Sequence, residues 1–191
     1  MWLAITISFY FILAAVFLVD KYLLTQKITS PKLYSFFVGL LGGLTIFLIP
    51  FVDFSLPTIS QLLLALAAGA LNIFSLFWFY KGLKDFEASR IVPGVTGILP
   101  VFTFLVTFFV SRGAAVPDPR DFLAFLILIL GSVLVTKESG KSASLLSLKV
   151  AGIAAFFFAL SFVLMKYVYL AQSFWPGFIW MRVGGVIAAL L

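Results

Sequence analysis

Seven long apolar runs, each ended by a charged or proline-containing break, constrain this chain more than any motif it carries. They cover 2 to 20, 33 to 52, 58 to 80, 91 to 111, 122 to 136, 148 to 170 and 175 to 191. Most approach the ~20 residues that a helix needs to cross a hydrocarbon core about 30 Å thick. Backbone polar groups in hydrocarbon must bond within the protein, which makes each run a helix. A soluble alternative fails on surface chemistry. Only 10% of the residues are charged and 63% are hydrophobic, whereas a water-facing domain needs about a quarter charged. The fold class is therefore read as all-α, a polytopic membrane helix bundle whose first partner is the lipid bilayer. The first run has no basic region before it and no small-residue cleavage pattern after it, so it is expected to stay as the first span. The last run differs. From 177 to 191 a helix would rise only about 22 Å, and it ends without a polar anchor, as if cut inside a span.

The polar residues exclude as much as they suggest. Histidine and cysteine are both absent, which removes disulfides, His or Cys metal sites, thiol nucleophiles and Ser-His-Asp triads. No metal and no catalytic residue is expected. The net charge of +6 reads as loop charge at headgroup level, and no basic stripe suits nucleic acid. The acidic residues Asp20, Asp53, Asp85, Glu87, Asp118, Asp121 and Glu138 all lie at or beyond run ends, away from where a midplane proton relay or intramembrane hydrolysis would need them. Lys21 and Lys166 read as snorkelling anchors. Arg182 interrupts the last run and must find a partner, a cavity or an interface.

Sliding the chain by 145 positions lays Phe11, Ala14, Phe17, Lys21 and Tyr22 over Phe156, Ala159, Phe162, Lys166 and Tyr167, and a small gap brings Gly42-Gly43 over Gly184-Gly185. Five spans is an odd period, so a second copy would enter the membrane inverted, an architecture of many secondary transporters.

Two runs carry candidate binding residues. In the fourth, Thr96, Pro100, Thr103 and Thr107 fall at i, i+4, i+7 and i+11 and form one narrow polar stripe. Pro100 has no N–H for the Thr96 carbonyl, and Pro93, Gly94 and Gly97 weaken the same end of the helix. Such a pliable segment suits a solute path, although Thr and Gly also serve ordinary helix packing. In the third run Asn72, Ser75 and Phe79 share a face, flanked by Trp78 and Tyr80. A buried amide needs partners, so Asn72 either binds a ligand or bridges helices. The neighbouring stretch of Ala67, Ala68, Gly69 and Ala70 reads as a close-packing surface.

Four stretches, YKGLK at 80 to 84, EASRIVP at 87 to 93, GILPVFT at 97 to 103 and LILGSVLV at 128 to 135, resemble the third to fifth spans of EamA-type domains in the drug/metabolite transporter superfamily. The resemblance implies ten helices in two inverted five-helix repeats around a central cavity, moving small organic metabolites or drugs by alternating access without a cofactor. On that pattern residues 1–138 form the first repeat, 139–148 a linker, and 149–191 the truncated start of a second, with about seven spans present of an expected ten. Asn72, Ser75, Trp78, Thr96 and Thr103 would contact the solute, and Gly94, Gly97 and Pro100 would gate it. The implied setting is the plasma membrane of a prokaryote. Three departures stand out: Ser111-Arg112-Gly113 replaces a Gly-Glu pair after the fourth helix, Leu40 replaces an arginine of the second helix although its repeat counterpart Arg182 is present, and the last three and a half helices are missing.

Two other classes of function compete. A membrane-embedded transferase on lipid-linked substrates would rely on Lys81, Lys84, Asp85, Glu87 and Arg90, which read more simply as a solvated turn. A scaffold or assembly subunit would need no cavity. If the second repeat is incomplete, the chain is expected to self-associate. Nine Lys and Arg lie near the connections after runs one, three and five, against three after runs two, four and six. The positive-inside rule then puts the N-terminus outside, while the family resemblance implies it inside.

Overall fold

The computed structural model describes residues 2–28, 30–111, 123, 125–127, 129–131 and 145–191, and every regular element among them is helical. The run from 122 to 136 lies largely outside the described residues, as do Arg112, Asp118, Asp121 and Glu138. Helix α1 spans Trp2–Gln26, α2 Pro31–Gly43, α3 Ile59–Asp85, α4 Ala88–Val110, α5 Leu145–Ala171 and α6 Phe174–Leu190. Among the described residues, five spans are long and apolar enough to cross a bilayer, counting α2 together with the 3-10 helix that follows it, and α6 is shorter. The chain is thus a helical membrane protein.

Local chemistry sets the helix ends. Ser30 caps α2 and Pro31 fills its first turn, where a missing N–H costs nothing. Thr58 and Gln61 form a reciprocal capping box at the start of α3. The second run does not stay α-helical. It tightens into a 3-10 helix over Leu44–Phe51, where the Thr45 hydroxyl donates to the Gly42 carbonyl at 2.9 Å and Pro50 supplies no N–H. Helix α4 is continuous through both Pro93 and Pro100.

Helix α3 is the axis of the bundle, packed against α5 and α6 and touching α1, α2 and α4. Small residues allow the close approach. A Cβ on Gly69 would run into the Met181 carbonyl, and one on Gly184 into the Leu66 carbonyl. Backbones pack directly there, the usual solution in lipid, where apolar area alone gives no drive for helices to associate. Of the expected small-residue surface, Ala68 and Gly69 are buried and Ala67 is exposed. The buried Ser161 hydroxyl adds a bond of 3.0 Å to the Ala68 carbonyl, joining α5 to α3. A second core forms where α1, α3, α4 and α5 meet, around Leu24, Phe79, Leu83, Ile91 and Ala154.

Helix α1 lies at the edge, and Asp20 and Leu24 are its buried residues. It continues beyond residue 20, so Asp20 and Lys21 sit inside a helix and not at its end. Both have tertiary partners. Tyr34 of α2 donates its hydroxyl to Asp20 Oδ1 and stacks edge-on against Tyr80 of α3, with centroids 4.7 Å apart. The Lys21 ammonium donates to the carbonyls of Leu83, Lys84 and Phe86 at the end of α3. Lys21 is thus a cap for another helix, in place of the expected snorkelling anchor; Lys166 is exposed.

Candidate functional site

A partly open cavity of about 260 Å³ lies between α2, α3, α5 and α6. Its floor exists because of glycine. Gly39 and Gly42 of α2, Gly69 of α3 and Gly185 of α6 line it; a Cβ on Gly39 or Gly69 would meet Ala189 or Met181 and push α6 away, whereas one on Gly42 would make only ordinary contact. Besides the Tyr169 phenol, its lining includes Asn72, at the middle of α3, and Arg182, at the middle of α6. Neither side chain makes a hydrogen bond or ion pair to the described residues. Arg182 instead lies over the Phe178 ring at 5.0 Å. Its stem passes beside Gly42, where a Cβ would come within 3.4 Å of Arg182 Cδ.

An aromatic column leads to that guanidinium. Tyr169 stacks on Phe174 with centroids 5.5 Å apart and planes at 12°, and Phe174 stacks on Phe178 at 5.6 Å and 10°. All three rings line the cavity. The site therefore offers a wall of stacked ring edges ending in a cation, with an amide on the opposing helix. A cation over a ring face is stabilised by the ring quadrupole, by about 0.5–1 kcal/mol for an exposed residue such as Arg182. That contact leaves the guanidinium N–H donors without acceptors.

The other candidate residues stand elsewhere. Ser75 is fully buried, and its hydroxyl donates to the Asn72 carbonyl at 2.6 Å. Trp78 packs on the α1–α3–α4–α5 core, with the Lys81 ammonium 4.8 Å above its ring. On α4, the Thr96 hydroxyl is exposed and donates to the Val92 carbonyl at 2.9 Å, and Thr103 donates to Leu99 at 2.9 Å. Gly94 and Gly97 are buried, and Gly94 faces Ala151 of α5. Pro100 is half-buried within the continuous α4. Of the expected solute contacts, Asn72 alone lines this cavity.

Sequence reasoning singled out Arg182 as needing a partner but missed the column beneath it. Its signal was Tyr169, Phe174 and Phe178, an aromatic spacing that bridges the α5–α6 turn. Among the described residues, no cluster of acidic side chains could hold a metal. No family model, curated protein or solved structure matches the chain.

Proposed function

We propose that the protein is a membrane transporter for small organic solutes, working by alternating access in the plasma membrane of a prokaryote. The observation that carries this reading is the cavity lined by Asn72 and Arg182. Ionisable side chains inside a membrane are expensive and typically mark a solute path. Here the cation borders the cavity and pairs with no acid among the described residues. The resemblance of the third to fifth spans to EamA-type domains supports the same reading. In this scheme α4, with Pro93 and Pro100 interrupting its hydrogen bonds, bends as access changes.

Purified protein reconstituted in vesicles tests the proposal directly. A panel of labelled carboxylates, amines and neutral solutes should include at least one whose entry is saturable and exceeds that of protein-free vesicles. Uniform background entry for every solute would reject transport.

A further inference from the structure

We infer that the cavity between α2, α3, α5 and α6 is a binding site for a small aromatic monoanion, with Arg182 taking the anionic group and the Tyr169–Phe174–Phe178 column taking the ring. The inference deepens the transport reading and rests on it only for what happens to the solute after binding.

Charge selects the class. Arg182 brings a guanidinium to the cavity, and no carboxylate among the described residues bonds to it. Its planar fork matches the two oxygens of a carboxylate or sulfonate. A cation with unused donors in a membrane bundle therefore favours an anion over an amine or a neutral solute. Shape narrows the class further. Successive rings are stacked nearly parallel, at 12° and 10°, so the column turns a ladder of ring edges to the cavity, against which the face of an aromatic body packs edge-to-face. A cavity of about 260 Å³ has room for one substituted ring. Asn72 faces the same space from α3 and can donate or accept, which suits the second oxygen of the anion or a ring substituent.

The test is equilibrium binding to the full chain in mild detergent at neutral pH, by calorimetry, with benzoate, benzenesulfonate, benzamide, benzyl alcohol, acetate and inorganic phosphate as probes. Benzoate and benzenesulfonate should bind roughly 10- to 100-fold more tightly than benzamide or benzyl alcohol, the range expected of charge-assisted bonds. Acetate and phosphate should bind weakly for want of a ring. Arg182→Gln should abolish the preference for the anions, and Arg182→Lys should restore part of it. Asn72→Asp, nearly the same shape, should weaken the anions at least tenfold. Equal affinity for the anions and the neutral rings, or phosphate bound as tightly as benzoate, would overturn the assignment. So would an anion preference that survives in Arg182→Gln, or an absence of binding by every probe.

Vesicle flux separates this inference from the transport reading. Carriage of benzamide but not benzenesulfonate would defeat the anion site and leave transport standing. Tight benzenesulfonate binding without flux of any solute would keep the site and defeat transport.

Discussion

Lys21→Met is the most informative single perturbation of the bundle. The substitution keeps an unbranched stem of similar length and removes three N–H donors. These serve Leu83 and Lys84, in the last turn of α3, and the capping residue Phe86, with the last two bonds at 3.3 and 2.8 Å. Helix ends leave four carbonyls without intrahelical partners. In α3 the Phe86 N–H takes the Gly82 carbonyl, and Lys21 takes the next two. The bond to Lys84 is exposed, so water replaces it at little cost. The bonds to Leu83 and Phe86 are part-buried, and each charge-assisted bond there contributes about 1–1.5 kcal/mol after the dipole and screening are considered. A loss of about 2–3 kcal/mol is expected. Unfolding in mixed micelles of mild detergent and dodecyl sulfate reads it, with Thr6→Ala as a control, since Thr6 is exposed and bonds its own helix at Trp2. Lys21→Arg should recover most of the loss. A Lys21→Met protein within about 0.5 kcal/mol of the parent would show that the α1–α3 junction is held by apolar packing alone.

Gly69→Val should destabilise the bundle by about 2–3 kcal/mol, since its side chain meets the Met181 carbonyl, which has no rotamer to yield; thermal unfolding in detergent measures it. Tyr34→Phe leaves the buried Asp20 carboxyl without its donor and should cost about 1–3 kcal/mol by the same assay, whereas Tyr22→Phe, on an exposed face, should cost nothing measurable. Pro100→Ala restores a helix hydrogen bond at the Thr96 carbonyl and should slow vesicle flux more than it changes insertion; flux at the parental rate would remove α4 from gating. Reporter fusions after Pro31 and Pro57 test orientation: the charge bias places the first in the cytoplasm and the second outside, and a cytoplasmic signal at Pro57 reverses it.

The helical spans were legible because hydrocarbon leaves a chain few choices, and the described helices fall on six of the seven apolar runs. Their ends were less legible. Asp20 and Lys21 look like the end of a span because charge is costly in lipid. The helix runs on to Gln26 because Tyr34 and the end of α3 satisfy both residues, and these partners lie 14 and more than 60 positions away. The threonine stripe of α4 was legible as a periodicity. What periodicity does not encode is that Thr96 and Thr103 turn their hydroxyls back onto carbonyls four residues earlier, an option open to any helical threonine. Arg182 was legible as a residue needing company. That its company is a ring and a space, and not an acid, depends on how α6 rotates against α3, which small residues at Gly69 and Gly184 decide.

Access to the cavity from both sides of the membrane is the central claim, and the chain offers a clean way to measure it because it contains no cysteine. Gly42 borders the cavity beside Arg182, and a Cβ there makes only ordinary contact. Gly42→Cys therefore places one thiol at the site without forcing the helices apart. A membrane-impermeant thiol reagent, applied to vesicles from outside and, in a second preparation, trapped within, should label the protein from both sides. Saturating benzenesulfonate should slow labelling from each. A thiol that reacts from one side only, at a rate indifferent to solute, would mean a surface cleft and not a transport path.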